Sequence, residues 1–326
     1  MLVRIFKATQ PIVYIILPIL LLAVWASSLF FQFEVITDQV SPLYDLFINR
    51  LTGANRYFYC FLAFLLVAFQ AFYVAYVIDK HEILSKRGYL AALIYAVVIF
   101  IVPHSILFHP ILIANTFFIW LLDKFFNLYK TQNPLAECFD VGLICALATL
   151  FYLPAVYMLI AFIIIVNVLL PFSWRNIVSA LLGFLSIWLL VWLGYYLTDN
   201  ADHLNLLMGS IGVTVGSDFI IENIIYYAIV FSAILIVFGI SLSDMILSHY
   251  KNTSRLRRFN QVTWIYALLT FIMTAIIFNG RAYQLTLLSI PFTLIICHWI
   301  IKLKKRAMDE IIVFLLLALA LYQFFI

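Results

Sequence analysis

The chain has 326 residues, 66% of them hydrophobic and 10% charged, with a mean hydropathy of +1.12 and a formal net charge of +4. Soluble domains carry about a quarter of their residues as charged side chains, so an ordinary water-soluble enzyme and a disordered chain are both excluded. At ~20 apolar residues per bilayer crossing, the composition supplies ten or eleven spans.

In chain order, hydrophobic runs predict spans near 11–33, 57–78, 88–106, 109–129, 139–153, 155–170, 176–197, 222–243, 260–279, 283–301 and 309–326. The first follows Arg4 and Lys7 as a signal peptide would, but its apolar run is too long for a signal core, so a retained span is expected. The stretch 139–170 is too long for one span and short for two. Pro154 lies in its middle, where a missing N–H and a ring clash break a helix, so a hairpin of two short helices is expected there. No connection is long enough to fold as a domain by itself, and residues 1–326 are read as one integral membrane domain.

The sidedness of Lys and Arg supports this division. With eleven spans, 16 of the 19 basic residues fall on one side, and Arg50, Arg56 and Arg281 alone fall on the other. The N-terminus is therefore expected in the cytoplasm, and the basic clusters act as topology anchors that meet anionic lipid. No basic surface of the kind that binds nucleic acid is implied. Cys60, Cys138, Cys145 and Cys297 lie in or beside apolar runs without zinc-site spacing and are expected to be buried free thiols.

Two outside segments exceed simple turns. The first, 34–56, holds Asp38, Asp45, Arg50 and Arg56. Ser41 and Pro42 have the chemistry of an N-cap and first helical residue, and Leu43, Leu46, Phe47 and Leu51 recur at helical spacing, so a short interfacial helix closed by Gly53 is expected. Asp38 precedes it and Asp45 lies on its polar face, where either carboxylate could act as base or metal ligand, or simply keep a solvated loop outside. The second, 198–221, is acidic, rich in glycine and semi-apolar, as an interfacial or re-entrant element would be. Glu222 follows it, just inside a span, where an unpartnered carboxylate costs about 2.5–3.5 kcal/mol.

The turn PHSILFHP puts His104 and His109 on the same outer face. Two imidazoles could serve as acid and base or bind substrate; two are too few for a metal site, and no metal is assigned. Arg281, the sole base between two late spans, suits a phosphate or carboxylate. Within the spans, Asp123, Asp140 and Asp244 are expected to snorkel or form ion pairs, and Asn115 to hold helices together. The chain has no HExxH, GxSxG or glycine-rich phosphate loop.

The runs AFQAFYVAYVIDK (68–80), HPILIANTFF (109–118), FDVGLICALATLFYLP (139–154) and PFSWRNIVSALLGF (171–184) resemble an uncharacterised family of bacterial multi-pass inner-membrane proteins, a domain of unknown function. That resemblance implies an inner-membrane location and no activity. A second, weaker similarity is to membrane glycosyltransferases and glycan polymerases that use polyprenyl-phosphate donors. In that group an acid of the first outside loop binds metal or activates the acceptor, and basic residues hold the lipid diphosphate.

The positions that would correspond are Asp38 or Asp45 with Arg50, Arg56 and Arg281. The resulting expectation is an all-α bundle that handles a lipid-linked glycan or related envelope lipid at its outer face, with His104, His109 and Glu222 beside the substrate and no cofactor identified. A non-catalytic subunit that packs against a membrane-protein partner is the alternative. A small-solute transporter using Glu222, Asn115 and His298 is a third.

Overall fold

A computed structural model describes residues 2–7, 11–25, 41–44, 56–84, 88–102, 108–129, 131–198, 253–277, 282–303 and 306–322, with scattered positions between 232 and 247. Among these residues all regular structure is helical and there is no strand. The helices are α1 Leu2–Lys7, α2 Val13–Trp25, α3 Arg56–Lys80, α4 Leu90–Ile101, α5 Pro110–Asn127, α6 Pro134–Phe151, α7 Met158–Leu169, α8 Trp174–Leu197, α9 Ser254–Ile277, α10 Ser289–Lys302 and α11 Arg306–Tyr322. Single 3-10 segments, Leu153–Tyr157 and Ala282–Leu288, lead into α7 and α10. Among the described residues, five stretches are long and apolar enough to cross a membrane: Tyr57–Lys80, Pro134–Phe151, Trp174–Leu197, Ser254–Ile277 and Tyr283–Lys302.

The core forms around α4. Its sequence, LAALIYAVVIFI, has no polar face, and all twelve residues are buried; a helix apolar all round must be surrounded. Helices α3, α10 and α11 pack on it, with α1 and α2 closing further sides. The periphery is the reverse of a soluble protein's. Phe58, Phe61, Leu65, Phe69 and Tyr76 form an exposed stripe along α3, and Leu182, Leu185, Leu189, Trp192 and Tyr196 form another along α8, while Gln70, Asn115, Thr149, Thr270 and Thr293 are buried. Helix α9 buries its hydroxyls by bonding them inside the helix: Thr263 to the Phe259 carbonyl at 3.0 Å, Thr270 to Tyr266 at 2.9 Å, Thr274 to Thr270 at 2.8 Å.

The stretch around Pro154 is a hairpin. Near the start of α6, Glu137 and Asp140 accept from Lys124 at 3.0 and 2.7 Å. Near the end of α7, the Val168 carbonyl accepts from Arg258 at 2.6 Å. Lys124 and Arg258 belong to one end of the bundle, because Asp123 binds His81 at 2.7 Å and the His81 carbonyl accepts from Arg255 at 3.3 Å. Helix α6 begins at Pro134, earlier than the hydrophobic run suggests, with the proline in the first turn where its missing N–H costs nothing.

Most described basic side chains gather at this end. Lys80 contacts both Asp123 oxygens at 2.8 Å, Lys302 contacts Asp244 at 3.1 Å, and Lys7 reaches Asp309 and, at 3.3 Å, the Ile300 carbonyl. The expected ion pairs of Asp123, Asp140 and Asp244 are thus all present. The four cysteines are free and buried.

Helices α6 and α8 touch backbone to backbone. A Cβ on Gly142 would lie 1.9 Å from the Ala180 carbonyl oxygen, and one on Gly183 would lie 2.3 Å from that of Phe139. Small residues at such a seam are how helices associate where lipid removes the hydrophobic drive. Ser179 donates to the Leu135 carbonyl at 2.7 Å and Trp188 to the Thr149 hydroxyl at 3.0 Å, fixing the register.

Helix α3 ends in a Schellman motif. The Ile83 N–H bonds the Ile78 carbonyl at 3.1 Å and the Glu82 N–H bonds that of Asp79 at 3.2 Å. Glu82 occupies the left-handed position with φ of 52°, which normally belongs to glycine. Its carboxylate sits 3.5 Å from Arg255 across an exposed pair. Glu82→Gly and Glu82→Ala both lose that pair, but only glycine removes the backbone strain. Thermal unfolding should therefore find Glu82→Gly the more stable by ~1 kcal/mol; the opposite order would rule out the left-handed assignment.

Candidate functional site

At the end of the bundle opposite the basic cluster, segments far apart in sequence converge. Residues 42–44 begin a helix after Ser41, as Ser41 and Pro42 predict, though Ser41 and Tyr44 are buried instead of lying on a wet surface. Tyr44 stacks on Phe108 at 6.1 Å, Tyr59 of α3 lies 6.4 Å from the same ring, and the Tyr195 hydroxyl at the end of α8 donates to the Pro42 carbonyl at 3.5 Å. His109 caps α5: its Nδ1 accepts from the Leu112 N–H at 3.2 Å, and its ring lies 5.4 Å from that of Tyr283. Capping commits one imidazole nitrogen to the backbone.

Of the outer-face residues singled out from sequence, His109 is the one whose side chain the structure describes. Arg56 opens α3, with its side chain outside the described set. Asp38, Asp45, Arg50, His104, Glu222 and Arg281 lie outside the described residues. Their described neighbours do meet: Tyr44 precedes Asp45, Phe108 belongs to the histidine turn, and Tyr283 follows Arg281 by two residues.

Below this convergence lies a layer of uncharged polar side chains in the bundle interior. Gln70 of α3 is fully buried; its amide donates to the Leu112 carbonyl at 2.5 Å and to Thr116 Oγ1 at 2.8 Å, and its oxygen accepts from the Tyr95 hydroxyl at 2.8 Å. Asn115 donates to the Thr286 carbonyl at 3.1 Å, tying α5 to the 3-10 segment before α10, which is the helix-joining role expected of it. The Asn115 and Ser289 side chains flank the Tyr95 hydroxyl.

Tyr266 of α9 neighbours Tyr95 and Cys145, and Tyr152, between α6 and its 3-10 segment, neighbours Tyr283. Four buried polar atoms of this layer have no hydrogen-bond partner among the described residues: Asn115 Oδ1, Ser289 Oγ, Tyr152 Oη and Tyr266 Oη. Each such group costs about 1–3 kcal/mol, and lipid offers no relief.

Chemically the layer is neutral. Amide, serine and tyrosine groups donate and accept hydrogen bonds, and the described members include no carboxylate to serve as base. No group of three or more metal-ligating residues occurs among the described residues. Such groups are suited to hydrogen bonding with hydroxyl-bearing partners. The sequence points to Gln70 and Asn115 as polar residues within spans, but Tyr95, Tyr152, Tyr266 and Ser289 escape such a reading. Tyr95 and Tyr266, tyrosines inside hydrophobic runs where the interfacial role of that residue does not apply, carry a signal that could have found them; Tyr152, at the end of its run, and Ser289 carry none.

A family model described as a family of unknown function, DUF6427, matches residues 1–326. No curated protein and no solved structure matches the chain.

Proposed function

Since the chain belongs to the DUF6427 family over its whole length, a family without an assigned activity, we propose from its own geometry that it is a multi-pass bacterial inner-membrane protein that seats the sugar head of a lipid-linked envelope glycan at its outer face. The observation that carries this reading is the set of unpartnered interior groups on Asn115, Ser289, Tyr152 and Tyr266. Sugar hydroxyls donate and accept, as these groups require, and bring no charge that would need a buried counterion.

In this reading Asp38 or Asp45 is the base or metal ligand, and Arg50, Arg56 and Arg281 hold the polyprenyl diphosphate. His104, His109 and Glu222 stand beside the substrate. The meeting of Tyr44, Phe108, His109 and Tyr283 supports it, because these residues flank the loops that bear the charged groups. Eleven spans with a cytoplasmic N-terminus would put those loops outside the inner membrane and the basic clusters within the cell.

Deletion of the gene followed by mass-spectrometric profiling of lipid-linked intermediates tests the proposal. One lipid-linked precursor should accumulate and be cleared by the wild-type gene. An Asp38→Asn, Asp45→Asn double variant should clear it at least about 100-fold more slowly, the lower end of what an acid–base group contributes. Asn115→Leu should slow clearance with the carboxylates intact. An unchanged lipid profile would refute the reading. The alternative of a non-catalytic subunit draws support from the apolar outward stripe of α8, and stoichiometric co-purification of a membrane-protein partner would favour it.

A further inference from the structure

Helix α9 begins at the basic end with SRLRR, so three guanidinium groups stand on its first turns, where the helix dipole also favours an anion. Such a run normally makes a solvated fence. Here it borders a hollow of about 500 Å³ between α7 and α9, which Arg258, Asn260, Gln261, Trp264 and Asn167 line, and a neighbouring hollow of about 340 Å³ that Arg257, Arg258 and Ser254 share. Neither lining includes a carboxylate among the described residues.

Two features distinguish this place from a fence. Arg258 is fixed: one of its nitrogens donates to the Val168 carbonyl at 2.6 Å, which holds the guanidinium fork at the rim of the hollow. Asn260 is only 2% exposed, and its Nδ2 has no partner among the described residues; Gln261 Oε1 is likewise covered and without one. The first is an unsatisfied donor and the second an unsatisfied acceptor, and both residues line the hollow. Val168, Ile246 and Ile265 supply an apolar wall, and Trp264 is a residue type that settles at the membrane–water boundary.

We propose that this hollow binds the head of an anionic phospholipid, phosphatidylglycerol, with its phosphate on Arg258 and Arg257 and the Asn260 amide. The glycerol hydroxyls donate to Gln261 Oε1, and an acyl chain runs along the aliphatic wall. Phosphatidylcholine lacks both the net charge and the hydroxyl donor and is the discriminating control. The site lies at the opposite end from the polar layer and does not depend on what that layer binds.

Native mass spectrometry of the purified full-length protein in non-ionic detergent, titrated with phosphatidylglycerol or phosphatidylcholine, tests the assignment. The wild type should retain one phosphatidylglycerol in preference to phosphatidylcholine by about ten-fold or more, the value of a single charge-assisted hydrogen bond. Arg258→Gln and Asn260→Leu should each erase most of that preference, while Lys302→Gln, a basic residue outside the hollow, should leave it intact. If Asn260→Leu does not fold, Asn260→Ala removes the same donor with less bulk.

Equal retention of the two lipids, or an equal loss in Lys302→Gln, would overturn the proposal and reduce the site to general basic attraction. Displacement of the bound lipid by inorganic phosphate alone would overturn it in favour of a soluble phosphate ligand.

Discussion

Gly142→Leu should separate α8 from the bundle. The Ala180 carbonyl stands 1.9 Å from where the first added carbon would lie, and that atom is backbone, which cannot turn aside. Over-packing by side chains costs about 1–3 kcal/mol when neighbours can repack; a backbone seam should put the cost at the top of that range or beyond it. Gly183→Leu meets the Phe139 carbonyl from the other side and should behave alike. Gly194, in the same helix, has nothing within 4 Å of where a first side-chain carbon would stand, so Gly194→Ala should be neutral or gain up to ~1 kcal/mol in helix propensity. Heating each variant in detergent before size-exclusion chromatography separates these outcomes. Survival of Gly142→Leu as a monodisperse peak at wild-type temperatures would show that α6 and α8 are not in backbone contact.

Asp123 should be the second most sensitive position. Its side chain is 9% exposed and accepts from both Lys80 and His81, whereas Lys80 is 34% exposed and can turn partly toward water. Removing one partner of a buried pair costs about 3–5 kcal/mol when both are enclosed, and the partial exposure of Lys80 reduces the expected loss for Asp123→Leu to ~2–3 kcal/mol. Lys80→Met leaves the enclosed carboxylate with His81 alone. The double variant removes carboxylate and ammonium together and should cost less than the sum of the singles. Strict additivity in a thermal-unfolding cycle would show that the two side chains do not interact.

Long-range order in this chain is legible where it depends on one-dimensional properties. Hydrophobic runs mark the helices because each must present apolar surface, and Pro154 marks the reversal because it removes a donor. The pairing of Asp123, Asp140 and Asp244 follows from the cost of a lone carboxylate near lipid. The start of α6 reads too late in the sequence because Glu137 resembles a loop residue until Lys124 is seen to neutralise it. His81 follows Lys80 in a polar turn and reads as solvated, yet it is buried against Asp123, Phe126 and Phe259.

The polar layer is the least legible feature. Tyr95 sits in LAALIYAVVIFI as one more bulky side chain, and only the arrival of Gln70, Asn115 and Ser289 from three other helical segments gives its hydroxyl a setting. No periodicity in one segment encodes that meeting.

The walls around α4 come from both ends of the chain, α3 just before it and α10 and α11 after residue 288. A ribosome delivers them in that order. Gln70 can satisfy Tyr95 as soon as α3 and α4 have been made, but Ser289 and the Lys7–Asp309 pair must wait until synthesis is almost complete. The nascent protein therefore spends most of its translation with one side of its central helix uncovered, and assembly is governed by the timing of the last helices as much as by their affinity. Cellular quality control would meet its substrate in that interval, when the hydroxyl layer is still half built.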